Sequence, residues 1–300
     1  MLKRSLVSIC LALLFVFIAS PAGAKITSEE IARLGKDLTP SGGEMAGNKA
    51  GTIPAWEGGI TTPPASYKSG MHHPDPFADD AALFTITKQN MGQYADKLTP
   101  GHKAMLDLYD TFKMIVYPTH RSASFPDRIN EATKKSAATA ELVENGYGVK
   151  NSIIGIPFPI PENGLEVIWN HVLRYRADIC ARYIAQAVLT RGGDYTLIKL
   201  GDEFNMLYSQ EGMTAEKMNN VLLYFKQKVT SPARLAGGSL LVHETMNQII
   251  EPRLAWLYNP GQRRVRRAPN VAYDTPGTAS DGVRTTDQFD MFSGATDRYD

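Results

Sequence analysis

The chain has 300 residues, 43% hydrophobic and 21% charged, with 32 basic and 31 acidic side chains and a formal net charge of +1. That length suffices for a sizeable core, and the near-neutral balance excludes bulk electrostatic attraction to nucleic acid. Two cysteines exclude a disulfide-rich scaffold.

Residues 1–24 read as a cleavable export signal. Lys3 and Arg4 form a short positive region, residues 6–19 form an apolar run too short to favour a membrane anchor, and Ala22 and Ala24 supply an Ala-x-Ala cleavage pattern. Cleavage after Ala24 removes Lys3 and Arg4, which takes the net charge from +1 to one negative charge. It also removes Cys10. Cys180 is then alone and reads as a buried, inert thiol.

Residues 25–98 form a Gly/Pro-rich arm with one short helix in "SEEIARLGKDL", where Ser28 is the expected N-cap and Glu29 and Glu30 fill the first turn. Trp56, Tyr67 and Phe77 favour an ordered arm over a tail. Residues 99–181 read as a helical segment. Thr99 caps a first helix with Pro100 at its first position and Ala104, Met105, Leu106, Tyr109 and Phe112 at helical spacing. "PDRINEATKKSAATAELVENG" gives a second helix ending at Asn145-Gly146, and residues 165–175 a third, with Leu165, Ile168, Trp169, Val172 and Leu173 on one side.

Residues 182–300 read as an antiparallel sheet. A hairpin turns at Gly192-Gly193-Asp194, two strands cover residues 221–229 and 238–244, and a further pair turns at Asn259-Pro260-Gly261. A strand wetted on one face alternates cleanly. Here Leu222 and Tyr224 oppose Val221, Leu223 and Phe225, and Leu207 opposes Phe204, Met206 and Tyr208. Apolar residues on both faces imply a second covering layer or a ligand cavity.

Signatures of catalysis or metal binding are weak. "HETMN", from His243, lacks the second histidine of a helix-borne zinc site, and "GGSLL" lacks the second glycine of a nucleophile elbow. His72, His73, Asp75, Asp79 and Asp80 group donor atoms, but prolines interrupt them, so no metal and no cofactor are expected. Arg263, Arg264, Arg266 and Arg267 have two readings, charged protection of an edge strand or a surface for anionic lipid head groups or an acidic partner.

"GIPFPIPENGLEVIWNHVLRYR" and "AWLYNPGQRRVRRAPNVAYDTP" closely resemble domain-of-unknown-function family 1329, exported Gram-negative proteins described as outer-membrane lipoprotein-sorting-like. The resemblance runs across essentially the whole mature chain. It implies an α+β fold in which a strongly curved antiparallel sheet forms an open half-barrel, with helices covering the concave face, as in periplasmic lipoprotein carriers. It also implies residence in the periplasm, near a resistance-nodulation-division-type transporter and an outer-membrane companion protein. Family members are typically longer, so a truncated chain lacking closing strands is expected, with one carrier-like domain over residues 99–300.

The expected function is a non-enzymatic, monomeric carrier or chaperone for a lipid or other hydrophobic molecule. Trp169, Phe204, Met206, Tyr208, Leu222, Tyr224, Trp256 and Tyr258 are the expected cavity lining. One alternative is an adaptor bridging an exporter and an outer-membrane protein, docked through the arm and the arginines. A weaker one is a hydrolase on a hydrophobic substrate, with His171 or His243 carrying a shifted pKa in the cavity.

Overall fold

The computed structural model describes residues 26–296, so the export signal lies outside the described residues. Among the described residues no helix is long and apolar enough to cross a membrane. The chain forms two compact units, one of Lys36–Asp127, the other of the described residues up to Gly35 together with those from Arg128 on.

Helix α1 (Ser28–Ile31) is a single turn closed by a capping box. Its cap is Thr27, one residue before the expected Ser28: Thr27 Oγ1 accepts from the Glu30 amide at 3.2 Å, and the Glu30 carboxylate accepts from the Thr27 amide at 2.9 Å.

Within Lys36–Asp127, strand β1 (Phe84–Ile86) pairs antiparallel with β2 (Met114–Val116), and α2 (Pro100–Leu108) lies between them in sequence. Thr99 caps α2 as expected, accepting from the His102 amide at 3.2 Å, and Leu106 packs with Ile86 and Leu98. The helix stops four residues short of Phe112, because Tyr109 adopts extended backbone at φ −120°. The Gly/Pro-rich stretch is ordered through its carbonyls. Arg121 donates to Glu44 at 2.6 Å and to Met45 at 3.0 Å, and the Trp56 indole donates to Ala123 at 2.8 Å. Gly59 is required beside that contact: φ is +71°, and a Cβ there would stand 2.4 Å from the Ala123 oxygen.

In the other unit, α3 (Asp127–Thr139) packs on the segment around Gly155. The fit leaves no room for a side chain, since a Cβ on Gly155 would meet the Thr133 amide nitrogen at 2.2 Å. The helix ends at Thr139, not at Asn145-Gly146. Those two residues, with φ of 58° and 73°, instead turn the chain between β3 (Glu141–Leu142) and β4 (Val149–Lys150). Asn-Gly is a hairpin signal as well as a helix stop. Helix α4 (Gly164–Val172) is capped by Asn163, whose side chain accepts from the Glu166 amide at 3.0 Å.

The remaining strands form an antiparallel meander: β5 (Ile179–Leu189), β6 (Tyr195–Asn205), β7 (Val221–Ser231), β8 (Ser239–Thr245), β9 (Leu254–Asn259) and β10 (Arg264–Arg267). One turn of helix, α5 (Ala215–Met218), sits between β6 and β7. The fold is α+β, with a six-stranded sheet whose edges are β10 and β5.

Both breaks in alternation have local causes. Val221 faces Thr245 and Leu223 faces Glu244, so Leu222 has no partner and forms a bulge. Strand β6 ends at Asn205, and Leu207–Ser209 is a turn of 3₁₀ helix. Neither stretch is a strand with two apolar faces. Tyr208 is a tie within the core: its hydroxyl donates to the Gly155 carbonyl at 2.6 Å and lies 2.8 Å from Ser152 Oγ.

The inner face of the sheet carries Leu200, Phe204, Phe225, Val229, Leu240 and Val242, all buried. Helix α4 contributes Trp169 at one end of this face. Elsewhere the cover is the irregular segment 268–296, with Phe289 5.3 Å from Phe225 between ring centroids. A helix is excluded over much of that segment by left-handed backbone at Ala279, Asp281, Asp290 and Met291.

Candidate functional site

The inner face carries polar residues at positions its alternation reserves for apolar ones. Asp202 lies between Leu200 and Phe204, and Gln227 between Phe225 and Val229. The register places Arg182, Asp202 and Gln227 side by side across β5, β6 and β7. Arg182 Nε donates to Asp202 at 2.9 Å, and Gln227 Nε2 donates to its other oxygen at 2.9 Å. The covering segment joins in through Asp290, which receives Arg182 and Arg176, each at 2.9 Å. Arg284 donates to Gln186 at 3.2 Å.

Aromatic faces complete the cluster. The Arg182 guanidinium stands 4.9 Å from the Phe204 centroid and 5.0 Å from that of Phe289. Burial lowers the pKa of Arg176 and Arg284, while Asp290 and Asp202 outweigh burial at Arg182 and raise it. These arginines stay charged, because even a lowered guanidinium remains far above neutral pH.

Between this cluster and Phe225, Val242 and Phe289 is a cavity of about 70 Å³. Its far wall is the ion pair of Arg253 with Glu244, both side chains more than nine-tenths buried. Three polar atoms on its lining residues, Arg176 Nε, Arg253 Nε and Glu244 Oε1, are buried and lack a hydrogen-bond partner. Leu240, Val271, Thr278 and Thr286 line both this cavity and a wider cleft of about 660 Å³, which reaches Leu257 and Arg266. That volume lies within the range of small-molecule sites, about 300–1,000 Å³.

The eight residues expected to line one cavity are separated. Phe204 lines the inner cavity, and Trp169 and Leu222 line a smaller space of about 30 Å³ beside it. Met206 and Tyr208 lie in the packed core. Tyr224, Trp256 and Tyr258 lie on the opposite face, where Trp256 and Tyr258 border an open groove of about 400 Å³ with Leu241, His243 and Val265. His243 bridges Tyr224 and Trp256 there, with ring centroids 4.6 and 4.8 Å apart.

Arg264, Arg266 and Arg267 lie on edge strand β10, and Arg263 sits in the preceding turn at φ 51°; all four are exposed. Cys180 is half-buried, and burial raises its pKa. His171 lies 3.1 Å from the Asp290 carbonyl and 3.1 Å from Arg174, and burial with the Arg174 charge lowers its pKa. Asp80 lies 2.6 Å from His120, and among the described residues no group of three or more His, Cys, Asp or Glu side chains is placed to hold a metal.

The family model described as "Protein of unknown function (DUF1329)" matches residues 85–300. The chain belongs to the DUF1329 family. A relative from Pseudomonas aeruginosa, described as "Uncharacterized protein PA3922", is 54% identical over 284 residues, which cover 94% of this chain and 62% of the relative. This DUF1329 chain thus spans less than two thirds of that relative's length. No solved structure matches it.

Sequence reasoning missed the polar cluster altogether. The signal was present at period two: Arg182, Asp202, Gln227 and Glu244 each interrupt an apolar series on one strand face. Buried charges are rare unless paired, so such positions mark a built site. Asp290 and Arg253 carry no comparable pattern and become visible only through the fold.

Proposed function

We propose that this DUF1329 chain is a periplasmic, non-enzymatic carrier for a lipid or other hydrophobic molecule, moving it between an inner-membrane exporter of the resistance-nodulation-division type and the outer membrane. The observation that carries this reading is the cleft of about 660 Å³ on the inner face of the sheet, continuous with the buried cavity through shared lining residues. In this reading the meander is an open half-barrel of the lipoprotein-carrier kind, and residues 268–296 are the movable cover. The cavity of about 70 Å³ corresponds to two or three waters at roughly 30 Å³ each, so an acyl chain enters only if the cover shifts. The apolar run and cleavage pattern of residues 1–24 support export. Ligand affinity would come from burial of apolar area, at about 25 cal/mol per Å² before the costs of association.

Organic extraction of protein purified from the periplasm, with mass spectrometry of the extract, tests the carrier. A stoichiometric lipid and saturable binding of a fluorescent fatty acid are expected. Absence of both removes the reading.

An adaptor between an exporter and an outer-membrane protein is favoured by a different observation, the outer sheet face, where Ile179, Tyr183, Leu189 and Tyr195 are exposed. Changing Arg263 and Arg264, which lie outside the cleft lining, to Glu separates the two readings. An adaptor loses its partner in a pull-down, while a carrier keeps its ligand.

A further inference from the structure

The end of the inner cavity is built to meet a charged polar group, and the carrier reading leaves that group unspecified. Arg176, Arg253 and Arg284 line this cavity together with Glu244 and Asp290, and the Arg182–Asp202 pair joins this cluster through Asp290. A fourth carboxylate, Asp287, is buried in the covering segment, where it accepts from the Thr285 hydroxyl.

The unpartnered atoms say what shape that partner has. The side chains of Glu244 and Arg253 keep only 8% and 9% of their exposure, yet Glu244 Oε1 and Arg253 Nε find no partner, and neither does Arg176 Nε. Two are donors, which ask for acceptor oxygens; the third is a carboxylate oxygen, which asks for a hydroxyl. All three belong to residues lining the same space. The cleft joins the cavity at its opposite end, where Leu240, Val271, Thr278 and Thr286 line both, and runs on past Leu257.

We propose that the cavity receives an anionic head group bearing a hydroxyl, the head of a single-chain amphiphile whose tail runs along the cleft. Arg176 and Arg253 donate to its anionic oxygens, and Glu244 accepts its hydroxyl. This rests on the carrier reading and adds the chemistry of the cargo. A hydroxy fatty acid and a lysophospholipid with a phosphate monoester share that chemistry.

Competition against a fluorescent fatty acid tests it with 3-hydroxymyristate, myristoyl lysophosphatidate, the neutral monomyristin and the cationic tetradecyltrimethylammonium. The anionic probes are expected to bind about ten- to a hundredfold more tightly than monomyristin, the range for charge-assisted hydrogen bonds. Tighter binding of the carboxylate or of the phosphate identifies the source, and either supports the proposal. The double variant Arg253→Met with Glu244→Met removes both members of the buried pair, so the fold is retained, and it should abolish the preference, leaving the anionic probes bound no more tightly than monomyristin. Arg176→Gln, at a side chain 25% exposed, leaves Asp290 paired with Arg182 and should reduce the preference in a variant whose circular dichroism still shows the folded sheet. Equal binding of monomyristin and 3-hydroxymyristate by the wild type, or a preference that survives the double variant, overturns the head-group assignment and leaves the carrier standing. If none of the four binds, the carrier itself falls.

Discussion

The two faces of the sheet are made by the same strands and differ in almost everything else. On the inner face the central strands β6, β7 and β8 are buried, and the charged side chains set into them meet counter-charges, Asp202 with Arg182 and Glu244 with Arg253. On the outer face Tyr183 is 87% exposed, and Lys226 pairs with Glu203 in solvent. One residue of offset along β6, from Asp202 to Glu203, moves a carboxylate from a built network to a solvated ion pair. Charge content alone therefore says little about function in this protein. The loudest basic run, on β10, faces water, while the arginines that shape the cavity are scattered singly through the sequence.

The comparison breaks most visibly at its apolar centre. Phe225→Ala removes a buried ring that packs on both Phe204 and Phe289, and a loss of about 3–5 kcal/mol in unfolding free energy is expected. Urea denaturation followed by circular dichroism reads it. A loss below about 1 kcal/mol would place the inner face outside the range of real cores. Next in size is Asp202→Ala, which strands Gln227 and one side of Arg182. Arg182 keeps Asp290, so the expected loss is about 2–3 kcal/mol, below that for breaking an isolated buried pair.

How far the sequence announces this division depends on the residue. The strands from Ile179 to Arg267, their order of turns and the edge position of the arginines all follow from alternation and turn chemistry. Two apolar faces did not follow, because a bulge at Leu222 and a strand end at Asn205 shift phase in ways that period counting reads as extra apolar residues. Trp169 and Phe204 reach cavities, whereas Trp256 and Tyr258 face the other side, since an aromatic side chain suits a core, a cavity and an exposed groove equally. The cover over residues 268–296 was not legible at all. It is held by single long-range contacts, such as Asp290 to Arg176, that leave no periodic trace.

A smaller effect comes from pH and tests whether the cover shares the inner face's environment. Burial and the Arg174 charge hold the His171 pKa below 6.5 in the folded protein. Above that value the imidazole is neutral whether folded or unfolded, and it contributes no pH dependence. As pH falls through about 6.5, the unfolded chain takes up a proton that the folded one resists, so stability declines until the folded pKa is passed. The thermal midpoint should therefore fall between neutral and mildly acidic pH, and His171→Gln should flatten that part of the profile. An unchanged profile in the variant would assign the pH dependence to other groups.

The smallest effect is expected on the outer face, and it is the most informative about the adaptor reading. Tyr183 projects from edge strand β5 with most of its surface in water, over the glycine at position 201 of the neighbouring strand. Tyr183→Ser removes little buried area, so the unfolding free energy should change by no more than about 0.5 kcal/mol. An exposed aromatic that adds almost nothing to stability is retained only by contacts outside the chain, or by none. If Tyr183→Ser together with Ile179→Ser weakens capture of an outer-membrane partner while amphiphile binding holds, the outer face is a docking surface in its own right. If both properties are unchanged, the exposed ring is ordinary surface, and the two faces differ only in that the inner one has a task.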